Sequence, residues 1–116
     1  MKTVTEVLHK IVEDTLKEEA GFKKEDFFVL ALGERSGFKT LKEYLKDIAG
    51  EDFLKAPSGT YRFFVLFRHL EKKDILDKLN SKADDTLFGN FTDKDIVEYK
   101  RESGTYYIVK VDFSQR

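Results

Sequence analysis

The chain has no cysteine, no tryptophan and a single proline among its 116 residues. Without cysteine there can be no disulfide, thiolate zinc site or cysteine nucleophile. A secreted disulfide-stapled scaffold is thereby excluded, and a reducing, cytoplasmic location is expected. Long apolar runs are also missing. The longest clear one, FFVLAL at residues 27–32, stops far short of the roughly 20 residues that span a bilayer. The first helical segment carries acids within its apolar period, which does not suit a signal peptide. No membrane role is expected.

Charge of one sign is lacking too. The 21 basic and 22 acidic side chains are interspersed and give a formal net charge of −1. Counterion release from nucleic acid requires clustered Lys and Arg, so this balance argues against a nucleic-acid partner. What remains is 41% apolar and 37% charged residues. That is enough apolar surface for one core, and residues 1–116 are expected to form one compact domain.

Thr3 and Glu6 fit a capping box. Val4, Val7, Leu8, Ile11, Val12, Leu16 and Ala20 then recur at helical spacing until Gly21. FFVLAL is apolar at both parities, which predicts a central strand covered on both faces. A second capping box, Thr40 with Glu43, predicts a helix with Leu41, Tyr44, Leu45 and Ile48 on its apolar face and Gly50 at its end. YRFFVLFRH, residues 61–69, reads as a strand with Tyr61, Phe63, Val65 and Phe67 on one face. Arg62 and Arg68 frame the other face around Phe64 and Leu66.

A short helix is expected to use Ile75, Leu76 and Leu79. The irregular stretch DDTLFGNFTD follows, and then a hairpin turning at Ser103-Gly104. In that hairpin Val97 and Tyr99 are expected on the core face with Tyr107, Val109, Val111 and Phe113. The fold class is therefore α+β, with about four antiparallel or mixed strands, three helices and the order α-β-α-β-α-β-β. Two-sided apolar strands call for helices on both faces, or one helical layer plus a second copy in a homodimer.

Three stretches approach recognisable chemistry. GERSGFKT, residues 33–40, has the Lys and Thr of the P-loop pattern G-x-x-x-x-G-K-[ST] in register, but Phe38 replaces the second glycine. A bulky side chain where backbone must wrap a phosphate defeats nucleotide hydrolysis. A milder anion site remains, formed by Arg35, Ser36, Gly37, Lys39 and Thr40 at a helix start. Against it stands the plainer reading of a glycine-shaped turn capped by Thr40.

TYRFFVLFRH mixes rings with arginines, and FVLF satisfies the end of an RNA-binding consensus. The upstream half of that consensus fails, and core packing explains the phenylalanines. Glu98-x-Lys100 matches half of a nuclease metal motif, for which no aspartate on a preceding strand is evident. His9 and His69 lack metal-ligand spacing, so neither a metal nor another cofactor is expected.

Leu87, Phe88 and Phe91 are apolar residues in a segment expected at the surface, where they could meet a partner or plug the core edge. The leading expectation is a small non-enzymatic protein-interaction module using Leu87, Phe88 and Phe91. A phosphorylated-ligand domain using Arg35 to Thr40 comes second, and a metal-dependent nuclease using Glu98 and Lys100 third.

Overall fold

The structure, a computed structural model, describes residues 4–31, 36–56, 58–81 and 91–114. Its elements are α1 (Val4–Glu18), β1 (Phe27–Ala31), α2 (Ser36–Ala49), α3 (Glu51–Leu54), β2 (Thr60–Arg68), α4 (Lys72–Asn80), β3 (Ile96–Arg101) and β4 (Gly104–Ser114). The four strands form one antiparallel sheet in the order β1-β2-β4-β3. This is the expected α+β domain. The single turn α3 and the 3-10 turns Lys24–Asp26 and Asp93–Asp95 stand beyond the expected order. No described helix is long and apolar enough to cross a membrane.

Strand β2 is central, and its alternation divides the core in two. Phe63, Val65 and Phe67 point to one face with Phe27, Val29, Val109 and Val111. Val12 and Leu16 of α1 and Ile75 and Leu79 of α4 cover them. Phe64 points to the other face with Ile108, beneath Leu41 and Leu45 of α2 and Phe53 and Leu54 of α3. Each fully buried Leu, Ile or Phe contributes about 1.5–3 kcal/mol, so both layers matter to stability. Helices thus cover both faces within one chain.

Four local expectations are corrected. Strand β1 is an edge strand rather than a central one, paired with β2 alone, and it is not covered on both faces, since Phe28 in its double-parity run is 59% exposed. Helix α1 packs through Leu8, Val12 and Leu16, which follow the i, i+4 line. Val7 and Ile11 lie on its flank and Val4 is the first residue of that line, and all three stay exposed.

Helix α2 begins at Ser36, so Thr40 is inside the helix rather than at its cap. The helix takes in Gly37 as its second residue, a glycine that costs only about 1 kcal/mol relative to alanine. Finally, the hairpin closes through the two-residue loop Glu102-Ser103, which pairs Tyr99 with Tyr106 and Val97 with Ile108. An even-length loop puts Val97 and Tyr99 on the α2/α3 face, opposite Val109 and Val111.

One polar side chain is buried among the described core residues. Arg62, 9% exposed, donates from Nε and Nη2 to the two carboxylate oxygens of Asp112 at 2.7 and 2.9 Å. Its Nη1 donates to the carbonyls of Asp52, Phe53 and Lys55 at 2.9, 3.1 and 2.8 Å. The hydrogen bond to Asp112 raises the guanidinium's pKa above its usual range, against the opposing effect of burial.

These bonds satisfy carbonyls at the end of α3 and clamp that turn to β2 and β4. Replacing Arg62 by Met should cost about 3 kcal/mol, because it strands three carbonyls and a carboxylate together. Asp112→Asn should cost only about 1 kcal/mol, since an amide oxygen still accepts and water reaches that site. Urea unfolding midpoints at constant m-value would test this order. Equal losses would mean that Arg62 does not hold α3.

Candidate functional site

The helical layer over the second face stops short of one end of the sheet. Register places Phe28 beside Leu66 and Ile108, and Arg68 beside Tyr106 and Tyr99, with Arg101 two residues further along β3. The first row lies at the margin of the α2/α3 core; in the second, Tyr99 still packs against that core, and Arg68 and Tyr106 lie beyond it. Phe28, Leu66, Arg68, Tyr99, Arg101 and Tyr106 line an open-sided hollow of ≈ 400 Å³. A wider hollow of ≈ 850 Å³ continues from it past Tyr44 and Lys100. The two share Tyr99, Arg101 and Ser103, so they form one trough running across the strands.

The rings of this trough are held in place. Tyr99 lies 4.6 Å from Tyr44 and 6.3 Å from Tyr106, centroid to centroid, with tilted planes favoured by ring quadrupoles. The Tyr44 hydroxyl donates to the Glu98 carbonyl at 3.1 Å, fixing α2 against the edge strand β3. The hydroxyls of Tyr106 and Ser103 share a bond of 2.7 Å. Their polar tips thus engaged, the rings offer apolar faces at little rotamer cost.

The arginines are oriented, and among the described residues they keep free donors. Arg68 Nε donates to the Glu25 carbonyl at 2.7 Å, which leaves its two terminal nitrogens. Arg101 Nη1 donates to the Tyr99 hydroxyl at 2.9 Å, with the guanidinium 5.6 Å from that ring's centre. Among the described residues, neither meets a carboxylate, whereas Arg62 takes one in bidentate fashion. The two described arginines without an acid therefore stand at the same hollow.

The sequence-predicted residues are not gathered here. Arg35, Leu87 and Phe88 lie outside the described residues. Ser36, Gly37, Lys39 and Thr40 fall in the first two turns of α2. Phe91 is half-buried against the α1/α4 core, and its backbone N–H and carbonyl bond the Asn80 side chain at 2.7 and 2.9 Å. Glu98 and Lys100 pair with each other at 3.2 Å. Lys110 pairs with Asp95, and Lys72 with Asp93.

His9 donates from Nε2 to the Val29 carbonyl at 2.9 Å, and His69 lies 3.6 Å from Asp26. Among the described residues no group of three His, Asp or Glu could hold a metal. The trough residues left two traces in the sequence. One is the surplus Phe28 in a run that needed only alternate apolar positions. The other is the Tyr99-x-Arg101 alternation facing Tyr106 across a two-residue turn.

No protein-family model matches the chain, and neither a curated protein nor a solved structure matches it. The trough's residues must therefore speak for themselves. Phe28→Ser should cost less than about 1 kcal/mol because the ring is already in water. Phe64→Ala, on the neighbouring strand beneath α2, should cost about 3–5 kcal/mol. Paired urea titrations would check the contrast, and a large loss at Phe28 would return that ring to the core.

Proposed function

We propose that this protein is a non-enzymatic interaction module, and that its partner surface is the uncovered end of the sheet. The observation that carries the reading is the composition of the trough: three oriented rings and two guanidiniums with unused donors. Tyr, Phe and Arg are the residue types enriched where protein interfaces concentrate their binding energy. The ring placement lowers the entropy lost on binding, and Phe28 supplies an apolar area already exposed. The absence of cysteine supports a reducing, cytoplasmic setting for that interaction.

This surface takes precedence over the segment 87–91, since the structure gives Phe91 a packing role. The nuclease reading ranks below it because Glu98 is paired with Lys100 and, among the described residues, no acidic cluster gathers beside them; the anion reading ranks below it because no second feature among the described residues joins the helix start. A Phe28→Ser, Tyr106→Ala double variant should keep the folded amide spectrum and recover at least tenfold less partner in quantitative affinity capture from cells. A Val7→Ser, Ile11→Ser variant on the far helix α1 should capture as the parent does. Loss with the α1 variant and retention with the trough variant would place the partner surface elsewhere.

A further inference from the structure

We infer that the trough recognises an extended partner segment of the form acid-x-apolar-x-acid. The inference rests on the interaction-module reading above and adds the chemistry of the occupant. Arg68, Tyr106 and Tyr99 lie abreast on β2, β4 and β3. Two interstrand spacings of about 4.8 Å separate the first from the last. Arg101 is two residues beyond Tyr99 along β3, a further rise of about 6.7 Å.

The backbones of the two arginines are thus about 12 Å apart on the diagonal, with two tyrosine rings between them. An extended chain carries side chains of one face about 6.7 Å apart, so its first, third and fifth residues span about 13 Å. Acids at the outer two positions meet the guanidiniums, that of Arg101 leaving the Tyr99 hydroxyl and ring face to do so. An apolar or aromatic residue at the middle position meets the rings of Tyr99 and Tyr106.

Charge selects this occupant over nucleic acid. The chain's formal charge is −1, and Glu102 stands in the wall of the wider hollow beside Lys100 and Arg101. A long polyanion crossing β3 would meet that carboxylate. Two arginines also replace counterions at only two phosphates, which is too few for useful single-strand affinity. A short segment with two discrete carboxylates uses both arginines and avoids the acid. Arg–carboxylate pairs can be bidentate, and each guanidinium here retains the nitrogens to make one.

The test is an amide NMR titration of the full chain with three probes. The first is a blocked nonapeptide carrying Glu, Phe and Glu at alternate central positions with Ser elsewhere. The second is the same peptide with Lys for Glu, and the third an eight-nucleotide oligothymidylate. The acidic peptide should give saturable shifts centred on Leu66, Tyr99, Arg101 and Tyr106. Its dissociation constant should rise at least tenfold in Arg101→Glu and several-fold in Arg101→Gln, both with wild-type spectral dispersion.

Equal binding of the lysine peptide, no saturable shift at millimolar acidic peptide, or shifts with oligothymidylate alone would each overturn the inference. If those shifts fail while the Phe28, Tyr106 variant still loses its cellular partner, the docking face stands and the acidic motif falls.

Discussion

Everything on the second face of the sheet is set out from Arg62. A guanidinium on a central strand is costly to bury, and here it is tolerated because its five hydrogen bonds converge on one corner of the fold. Three of them hold carbonyls from the α3 turn and its exit, and two hold Asp112 on β4. The single turn α3 has only four residues and could not persist on its own hydrogen bonds. Clamped by Arg62, it delivers Phe53 and Leu54 onto Phe64 and so completes the second hydrophobic layer. That layer is anchored at the Arg62 end of β2, and among the described residues no helix covers the Arg68 end of the strand on that face.

Arg62 and Arg68 make the consequence visible on one strand. They share a face of β2, six residues and thus about 20 Å apart. One is saturated by a carboxylate and three carbonyls; the other bonds a single carbonyl and faces an open hollow. The same side chain is a structural clamp under the helical layer and a free donor beyond it. Position relative to the edge of that layer, rather than residue type, decides the role.

Much of this architecture was legible in the chain. The alternation of YRFFVLFRH placed every β2 side chain on its observed face, and the 3.6-residue spacing located α1, α2 and α4. What failed depended on one-residue register or on the width of a covering layer. FFVLAL is apolar at both parities whether Phe28 lies under a helix or in water, so β1 reads as central although it is an edge. Ser103-Gly104 marked the turn but not its even loop length, and a single residue of register exchanges the faces of Tyr99 and Tyr107. The trough was therefore hidden, because none of its residues is exceptional until the helical layer is seen to end.

Two-ended sheets invite a partner to extend them edge to edge, yet both edges here are partly occupied from within. On β1, His9 reaches over from α1 to bond the Val29 carbonyl. On β3, Tyr44 reaches from α2 to the Glu98 carbonyl, and Glu98, Lys100 and Arg101 place charge along the strand. Such charges and side-chain contacts are the means by which edge strands are kept from pairing with other chains. A partner strand is thus discouraged at the rims, while the rings and guanidiniums of the open end face outward across all four strands. The surface most available for recognition lies on the face of the sheet, and its chemistry comes from side chains rather than from unpaired backbone.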